Sequence, residues 1–450
     1  MSVRRDGNTW LTKLERISEL AQHDHELVFN NLAHVIDKAL LMKQYRKIDG
    51  KKAIGVDGVS KDEYGKGLEV NITKLLEKIR LDKYRPQPAR IVMIPKEDGS
   101  ERPLAISCFE DKLVQSAISE ILEQVYEPIF LPCSYGFRPS KSAHEALREL
   151  NKLTYSFTKG AVVEIDTRKY FNTIPHQELR KFLTKKISDR KFLRLLQRLV
   201  EAPIIENGTT TINKQGCPQG SIVSPILANI YLHYVIDEWF EETRKQHLCG
   251  KAGMVRYADD MVFAFEIEQD AIRFYRTLPK RLNKYGLVMH ENKSQIVKSG
   301  KYHAATAAAK GEKLKSYKFL GFTCYWGKSR HGTMWRLKYR SRGDRFTAKL
   351  KGLRKYLRSK LVSKDKMAVL STVTRMTRGW INYHTISDNQ RRVSAFVYHS
   401  KHIIFAWLNR MGGKKRINWK RFNLVLQRIA YPEKWKVISM FPTPNKYKTI

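Results

Sequence analysis

The sequence predicts an α+β protein: helices behind a mostly antiparallel sheet, followed by a basic, wholly helical region. Three observations carry this prediction. Residues 161–166 (AVVEID) and 254–265 (MVRYADDMVFAF) are apolar runs of strand length, the first ending in Asp166 and the second folded about Ala258-Asp259-Asp260. Helical apolar spacing follows each run. After Gly321 the pattern changes to long amphipathic helices, roughly 343–361, 364–383 and 389–410, broken by Met411-Gly412-Gly413.

Taken in order, residues 12–46 and 66–82 have helix-like apolar spacing, with a turn at Gly55 to Ser60 between them. Residues 90–95 (RIVMIP) predict a strand, Glu97-Asp98-Gly99-Ser100 a hairpin turn, and Arg102 to Ile106 a second strand. Lys96 and Arg102 then face each other across a tight loop. The two apolar runs, laid side by side, would gather Asp166, Asp259 and Asp260 into one cluster. The closing FPTPNKYKTI is expected to fray.

A chain of 450 residues, 42% hydrophobic, is long enough for about three domains with real cores. Its 84 Lys+Arg against 44 Asp+Glu give +40, a self-repulsion that calls for a polyanion as partner. Residues 327–450 hold 31 of the bases and 4 of the acids, +27, and leave +13 to the rest. Bases recur there beside aromatics, as in Lys338-Tyr339-Arg340 and Lys355-Tyr356-Leu357-Arg358, which suits a nucleic-acid surface better than a merely solvated one. Five scattered cysteines support neither a disulfide framework nor a zinc ribbon, so a reducing, cytoplasmic setting is expected, with organellar import left open. No apolar run is long enough for a membrane span and no signal peptide opens the chain, so no membrane partner is expected. There is no phosphate-binding GxxxxGK[ST] loop and no HExxH zinc motif.

The acids carry the chemistry. An Asp-Asp pair alone is usually turn chemistry, but flanking strands this apolar would not leave two charges unpaired. Carboxylates are the ligands Mg2+ prefers, and nucleotidyl transfer uses two such cations to hold the attacking and leaving oxygens. Tyr257-Ala258-Asp259-Asp260 resembles the YxDD box of reverse transcriptases, with Asp166 placed as their first palm carboxylate. Gly216-Cys217-Pro218-Gln219-Gly220-Ser221-Ile222-Val223-Ser224-Pro225 matches their PQGxxxSP signature. Ile94-Pro95-Lys96 with Arg102-Pro103-Leu104, Ser134 to Pro139 (SYGFRP), Gly286 to Lys293 (GLVMHENK), Tyr317 to Phe322 (YKFLGF) and Gly379 to Tyr383 (GWINY) resemble successive blocks of group II intron reverse transcriptases, over about residues 20–410.

That resemblance implies a right-hand polymerase with an antiparallel-sheet palm and an α-helical thumb, or maturase, region. Its divisions would be an N-terminal extension and fingers (1–160), palm with part of the fingers (161–326), thumb (327–410) and a short basic tail (411–450). It implies Asp166, Asp259 and Asp260 as catalytic ligands of two Mg2+ ions, for which Mn2+ could substitute, with Asp260 contributing less directly. Lys96, Arg102, Phe171, Pro218, Gln219 and Lys293 would meet the nucleotide, Phe171 as the aromatic gate against a ribose 2′-OH. Asn172 stands where the family commonly has an acid. Arg138, Arg340, Arg342, Lys355, Arg378, Trp380, Lys414, Lys415, Arg416 and Lys420 would contact nucleic acid, although 414–421 also reads as the start of a helix.

The implied partners are structured RNA such as a group II intron, an RNA template with DNA primer, and deoxynucleoside triphosphates; a homodimer is admitted and not required. No cysteine follows Cys324, so a nuclease of the family's cysteine-bearing type is not expected. The rivals are a splicing-only RNA-binding protein on a retained polymerase scaffold and a domesticated relative serving phage defence or repair.

Overall fold

The computed structural model describes residues 9–95, 101–206, 208–329, 332, 334–361, 365–411 and 416–441. Its strands form three sheets. The first joins β1 (Ala89–Pro95), β2 (Glu101–Ile106), β4 (Ile204–Glu206) and β5 (Thr209–Thr211) in the order β2-β1-β4-β5. The second joins β3 (Gly160–Ile165), β6 (Ala252–Tyr257), β7 (Asp260–Phe265) and β8 (Gln295–Ser299) in the order β6-β7-β3-β8, antiparallel throughout. The third is β9 (Tyr317–Phe319), β10 (Phe322–Lys328) and β11 (Trp335–Ser341), with β10 in the middle.

The central sheet is apolar on both faces because it divides two cores, and strand alternation sorts its side chains between them. Ala161, Val163, Ile165, Met261, Phe263 and Phe265 join the larger core, and Val162, Val262 and Ala264 the other. The larger core is filled from behind by the Phe109–Tyr126 and Ser224–Leu232 helices. The other is closed by the Ala143–Thr154 helix and the third sheet. Burial on both sides explains why these strands read as continuous apolar runs.

Helices appear where apolar spacing placed them, with one division. The 12–46 stretch breaks into Thr9–His23 and Lys38–Lys47, because Asp37 caps the second helix by accepting from the Leu40 amide at 2.9 Å. Between them, Asp189 accepts from the Leu32 and Ala33 amides at 2.7 Å each, tying the connection to the body. The expected turn at 97–100 lies outside the described residues, but β1 and β2 pair antiparallel from Arg90↔Ile106 to Pro95↔Glu101, as a hairpin requires.

The C-terminal region is a bundle of Gly343–Lys360, Lys366–His384, Gln390–Met411 and Trp419–Arg428 with its own core around Leu357, Val373, Phe396 and Phe422. Strand β10 runs through the 326/327 boundary, held by pairing to both neighbours. Within residues 416–441, Phe422 and Leu426 are buried in the bundle, and Met440 inserts into the core under the central sheet. The Asn151 side chain donates to Met440 O at 2.7 Å and the Ser387 amide to Ile438 O at 3.0 Å, so this segment straps the bundle to the sheet.

A candidate nucleotidyl-transfer site

The β6–β7 hairpin turns tightly at Ala258 and Asp259, with Tyr257 paired to Asp260. Ala258 adopts a left-handed φ of +55°, an uncommon and costly conformation for a residue with a Cβ. The β3–β7 register pairs Ile165 with Met261; carried one step further, it sets Asp166 opposite Asp260. The sheet therefore brings the three predicted acids to one edge. Asp166 is pinned from its other side, its amide donating to Ser294 Oγ at 3.2 Å and its carbonyl accepting from the His290 amide at 2.8 Å. Lys293 Nζ stands 3.6 Å from Asp166 Oδ2.

The carboxylates disturb one another. Burial pushes the Asp259 carboxyl above its usual range and Asp166 adds to the push, while its own amide, Arg256 and Arg102 pull the other way. Asp260 keeps an edge open to water, yet crowding by protein, then Asp259 and Asp166, raises it to about 6. Among the described residues no three His, Cys, Asp or Glu side chains already stand as a metal cluster. The donor set nonetheless fits a divalent cation, since oxygen ligands of like charge in a desolvated cleft repel until a cation joins them.

The Cys217 to Pro225 segment is hydrogen-bonded to β2 on one side and to Phe171 and Asn172 on the other. Its Cys217 amide donates to Phe171 O at 2.7 Å, Gln219 Nε2 to Asn172 Oδ1 at 3.1 Å, and the Ala105 amide of β2 to Gln219 O at 2.6 Å. Gly220 has φ +108°, and a Cβ there would come within 2.4 Å of Ala105 O, so only glycine lets the loop lie this close. Pro218 is held by Ser224 Oγ, which donates to its carbonyl at 2.8 Å. Phe171 is half-buried, edge-on to Tyr170 at 5.4 Å. Phe171, Pro218 and Gln219 are thus one hydrogen-bonded unit. Arg102 is exposed on β2 and near enough to act on the Asp259 charge. Lys96 lies outside the described residues.

The expected nucleic-acid contacts separate by burial. Arg340, Lys355, Arg378, Arg416 and Lys420 are exposed. Arg378 donates to Ala430 O at 2.7 Å, and Arg342 pairs with Asp344. Lys414 and Lys415 lie outside the described residues. Two assignments are corrected. Arg138 is directed inward, forked onto Glu127 at 2.8–3.1 Å and donating to Leu131 O and Ser134 O at 2.8 Å each, which leaves it no geometry for a phosphate. Trp380 is a core residue, stacked between His384 at 4.1 Å and Phe396 at 3.8 Å. Trp419, by contrast, opens a helix capped by Asn418, whose side chain accepts from the Arg421 amide at 2.9 Å, so the described residues 416–421 contain a helix start.

Sequence reasoning missed Arg256 and Arg345. Arg256 is fully buried and paired to Asp237; its signal was a lone cation inside the apolar run MVRYADD. Arg345, at the start of the first bundle helix, acts on the Asp260 charge, and nothing in its basic surroundings marked it.

An acid triad on an antiparallel sheet, a PQG loop laid against a finger-like hairpin and a helical bundle beyond them define a right-hand polymerase. The chain belongs to the reverse transcriptase (RNA-dependent DNA polymerase) family, which matches residues 94–324. Among curated proteins it is similar to the group II intron-encoded protein LtrA of Lactococcus lactis subsp. cremoris, 36% identical over 222 residues, or 49% of this chain and 37% of that one. It is also similar to protein YkfC of Escherichia coli K12, 37% identical over 211 residues (46% and 54%). A 91 kDa protein in the cob intron of Schizosaccharomyces pombe is 33% identical over 242 residues (52% and 29%). The chain spans from under a third to about half the length of these relatives. Among the described residues no helix is long and apolar enough to cross a membrane.

Proposed function

We propose that the chain is an RNA-directed DNA polymerase of the group II intron type, which copies RNA into cDNA and binds intron RNA as a maturase in splicing and retrohoming. The observation that carries the polymerase half is the β3–β7 register, which sets Asp166 beside the Asp259-Asp260 turn. Asp166 and Asp259, with Asp260 at the margin, would hold Mg2+. The bound cations would polarise the reacting phosphate and offset charge on the attacking and leaving oxygens.

The chain's own residues supply the rest. Gln219 and Pro218, fixed to Asn172 and Ser224, floor the nucleotide pocket. Phe171 presents a ring where a ribose 2′-OH would clash, which favours deoxynucleotides by exclusion. Arg102 brings positive charge to the triphosphate side, where charge develops as pyrophosphate leaves after attack by the primer 3′-OH. Lys293, beside Asp166, is placed to meet a phosphate. The exposed Arg340, Lys355, Arg378, Arg416 and Lys420 would grip the RNA backbone by charge and shape.

The test is extension of a DNA primer on an RNA template with deoxynucleotides and Mg2+. The proposal expects full-length cDNA, ended by chelation and poorly supported by ribonucleotides. Extension on DNA templates alone, or none by folded protein, would overturn it.

A further inference from the structure

The mechanism leaves one buried charged cluster without a task. Arg256, two residues before the Ala258-Asp259 turn, is fully buried with its partner Asp237. Its guanidinium donates through Nε to Asp237 Oδ1 at 2.7 Å and through Nη2 to Oδ2 at 2.5 Å. Its Nη1 donates to Asn229 Oδ1 at 2.9 Å and to the carbonyl of Ala258 at 3.2 Å. Asn229 in turn donates to Gly136 O at 2.7 Å, and Gly136 lies so close under the turn that a Cβ on it would come within 2.4 Å of the Ala258 amide nitrogen. Asp237 closes a short π-helical segment, His233–Asp237, an irregularity that shifts the register of a helix and is often found near functional sites.

A buried ion pair is a weak source of net stability, because desolvating two charges consumes most of what their attraction returns. Stability alone therefore gives little reason for this one. Geometry gives a better reason: the peptide that the fork reaches joins Ala258 to Asp259 and is the one that the left-handed Ala258 tilts. A planar, five-donor guanidinium can anchor to a carboxylate with one edge and hold a carbonyl with the other; an ammonium on a flexible stem cannot do both in fixed directions.

We infer that Arg256, aimed by Asp237 and Asn229, is a positioning residue for reverse transcription: it clamps the strained Ala258 carbonyl and so fixes where the Asp259 carboxylate points. This rests on the polymerase reading of the site. Arg256 touches no substrate, and its influence passes through the turn.

The test compares Arg256→Lys, Asp237→Asn and the pair Arg256→Lys with Ala258→Gly, in the full chain and below each melting temperature. R256K should lose about 10- to 100-fold in kcat, the scale of a displacement near 1 Å, with KM for deoxynucleotide and affinity for primer–template little changed. Amide hydrogen exchange at 257–261 should quicken in the same variant. D237N strands a buried charge and loosens the anchor that aims the fork, so it should melt at lower temperature and lose kcat in the same direction as R256K, with KM again little changed. Glycine adopts positive φ at little cost, so A258G should return part of the activity lost in R256K. If R256K does not fold, Asn229→Ala takes its place with the same expected fall in kcat. Wild-type kcat in a folded clamp variant, or losses that merely track melting temperature without rescue by glycine, would overturn the inference. A fully active Asp259→Ala variant would instead overturn the polymerase reading beneath it.

Discussion

Gly220→Ala tests the junction between the nucleotide loop and β2. At φ +108° an alanine pays roughly 1–3 kcal/mol in backbone strain. Its Cβ would lie 2.4 Å from Ala105 O and 2.9 Å from Leu104 Cδ1, against an ordinary carbon–oxygen approach of about 3.3 Å. Relief requires a shift of about 1 Å. Because Gly220 is exposed, the loop can move outward instead of unfolding the sheet. The outward move breaks the 2.6 Å bond from the Ala105 amide to Gln219 O, a net loss of about 1 kcal/mol. Under the proposed function it also carries Gln219 and Pro218 away from the incoming base, and misplacement on this scale costs up to about 100-fold in rate. Single-nucleotide incorporation on an RNA template should therefore show kcat/KM for deoxynucleotide reduced about 10- to 100-fold, with the melting temperature lowered by only a few degrees. An unchanged kcat/KM in folded G220A would refute the placement of this loop in the nucleotide pocket.

The helical bundle makes three further tests available. Trp380→Ala empties the space between two stacked rings and should cost about 3–5 kcal/mol in denaturant unfolding, with RNA affinity unchanged while the protein stays folded; an affinity loss without destabilisation would restore Trp380 as a contact. His384 is buried, and its Nδ1 must carry the proton it donates to Trp380 O at 3.0 Å, leaving Nε2 buried without a partner among the described residues. Burial first, with Arg345, His144 and Lys349, lowers its pKa to about 4. The unfolded chain takes that proton below about pH 6.5 and the folded one does not, so stability falls from there toward pH 4, by up to about 3 kcal/mol. His384→Phe should flatten this part of the profile, and parallel curves for the two proteins would contradict the assignment. Lys355→Ala with Arg358→Ala, both exposed on the first bundle helix, should weaken RNA binding across sequences and reduce the slope of log affinity against log salt by about 0.7–0.9 per lost phosphate contact; an unaltered slope would remove this face from the RNA surface.

What the sequence made legible follows from which forces act locally. The central strands could be read because burial on both faces leaves an unbroken apolar run, and the acids stood out as the only charges at its ends apart from Arg256 and Glu164. The bundle helices could be read because their apolar spacing persists over several turns. Arg138 and Trp380 were misread for one shared reason: a guanidinium and an indole serve a core or a nucleic acid equally well, and only the tertiary partners, Glu127 in one case and Phe396 in the other, decide. The strap of Ile438 and Met440 was illegible because it depends on Asn151 and Ser387, remote in sequence. The PQG loop was recognised by resemblance, but its reason for glycine, the Ala105 carbonyl, belongs to the fold.

Whether Asp166 and the Asp259-Asp260 turn form a nucleotidyl-transfer site is decided by replacing both turn acids with alanine. Primer extension on an RNA template and equilibrium binding of the same RNA are measured side by side, with melting to confirm the fold. The proposed function predicts loss of extension to background and RNA affinity within about threefold of wild type, since it assigns binding to the basic bundle and chemistry to the turn. Extension that survives both substitutions in folded protein would contradict it.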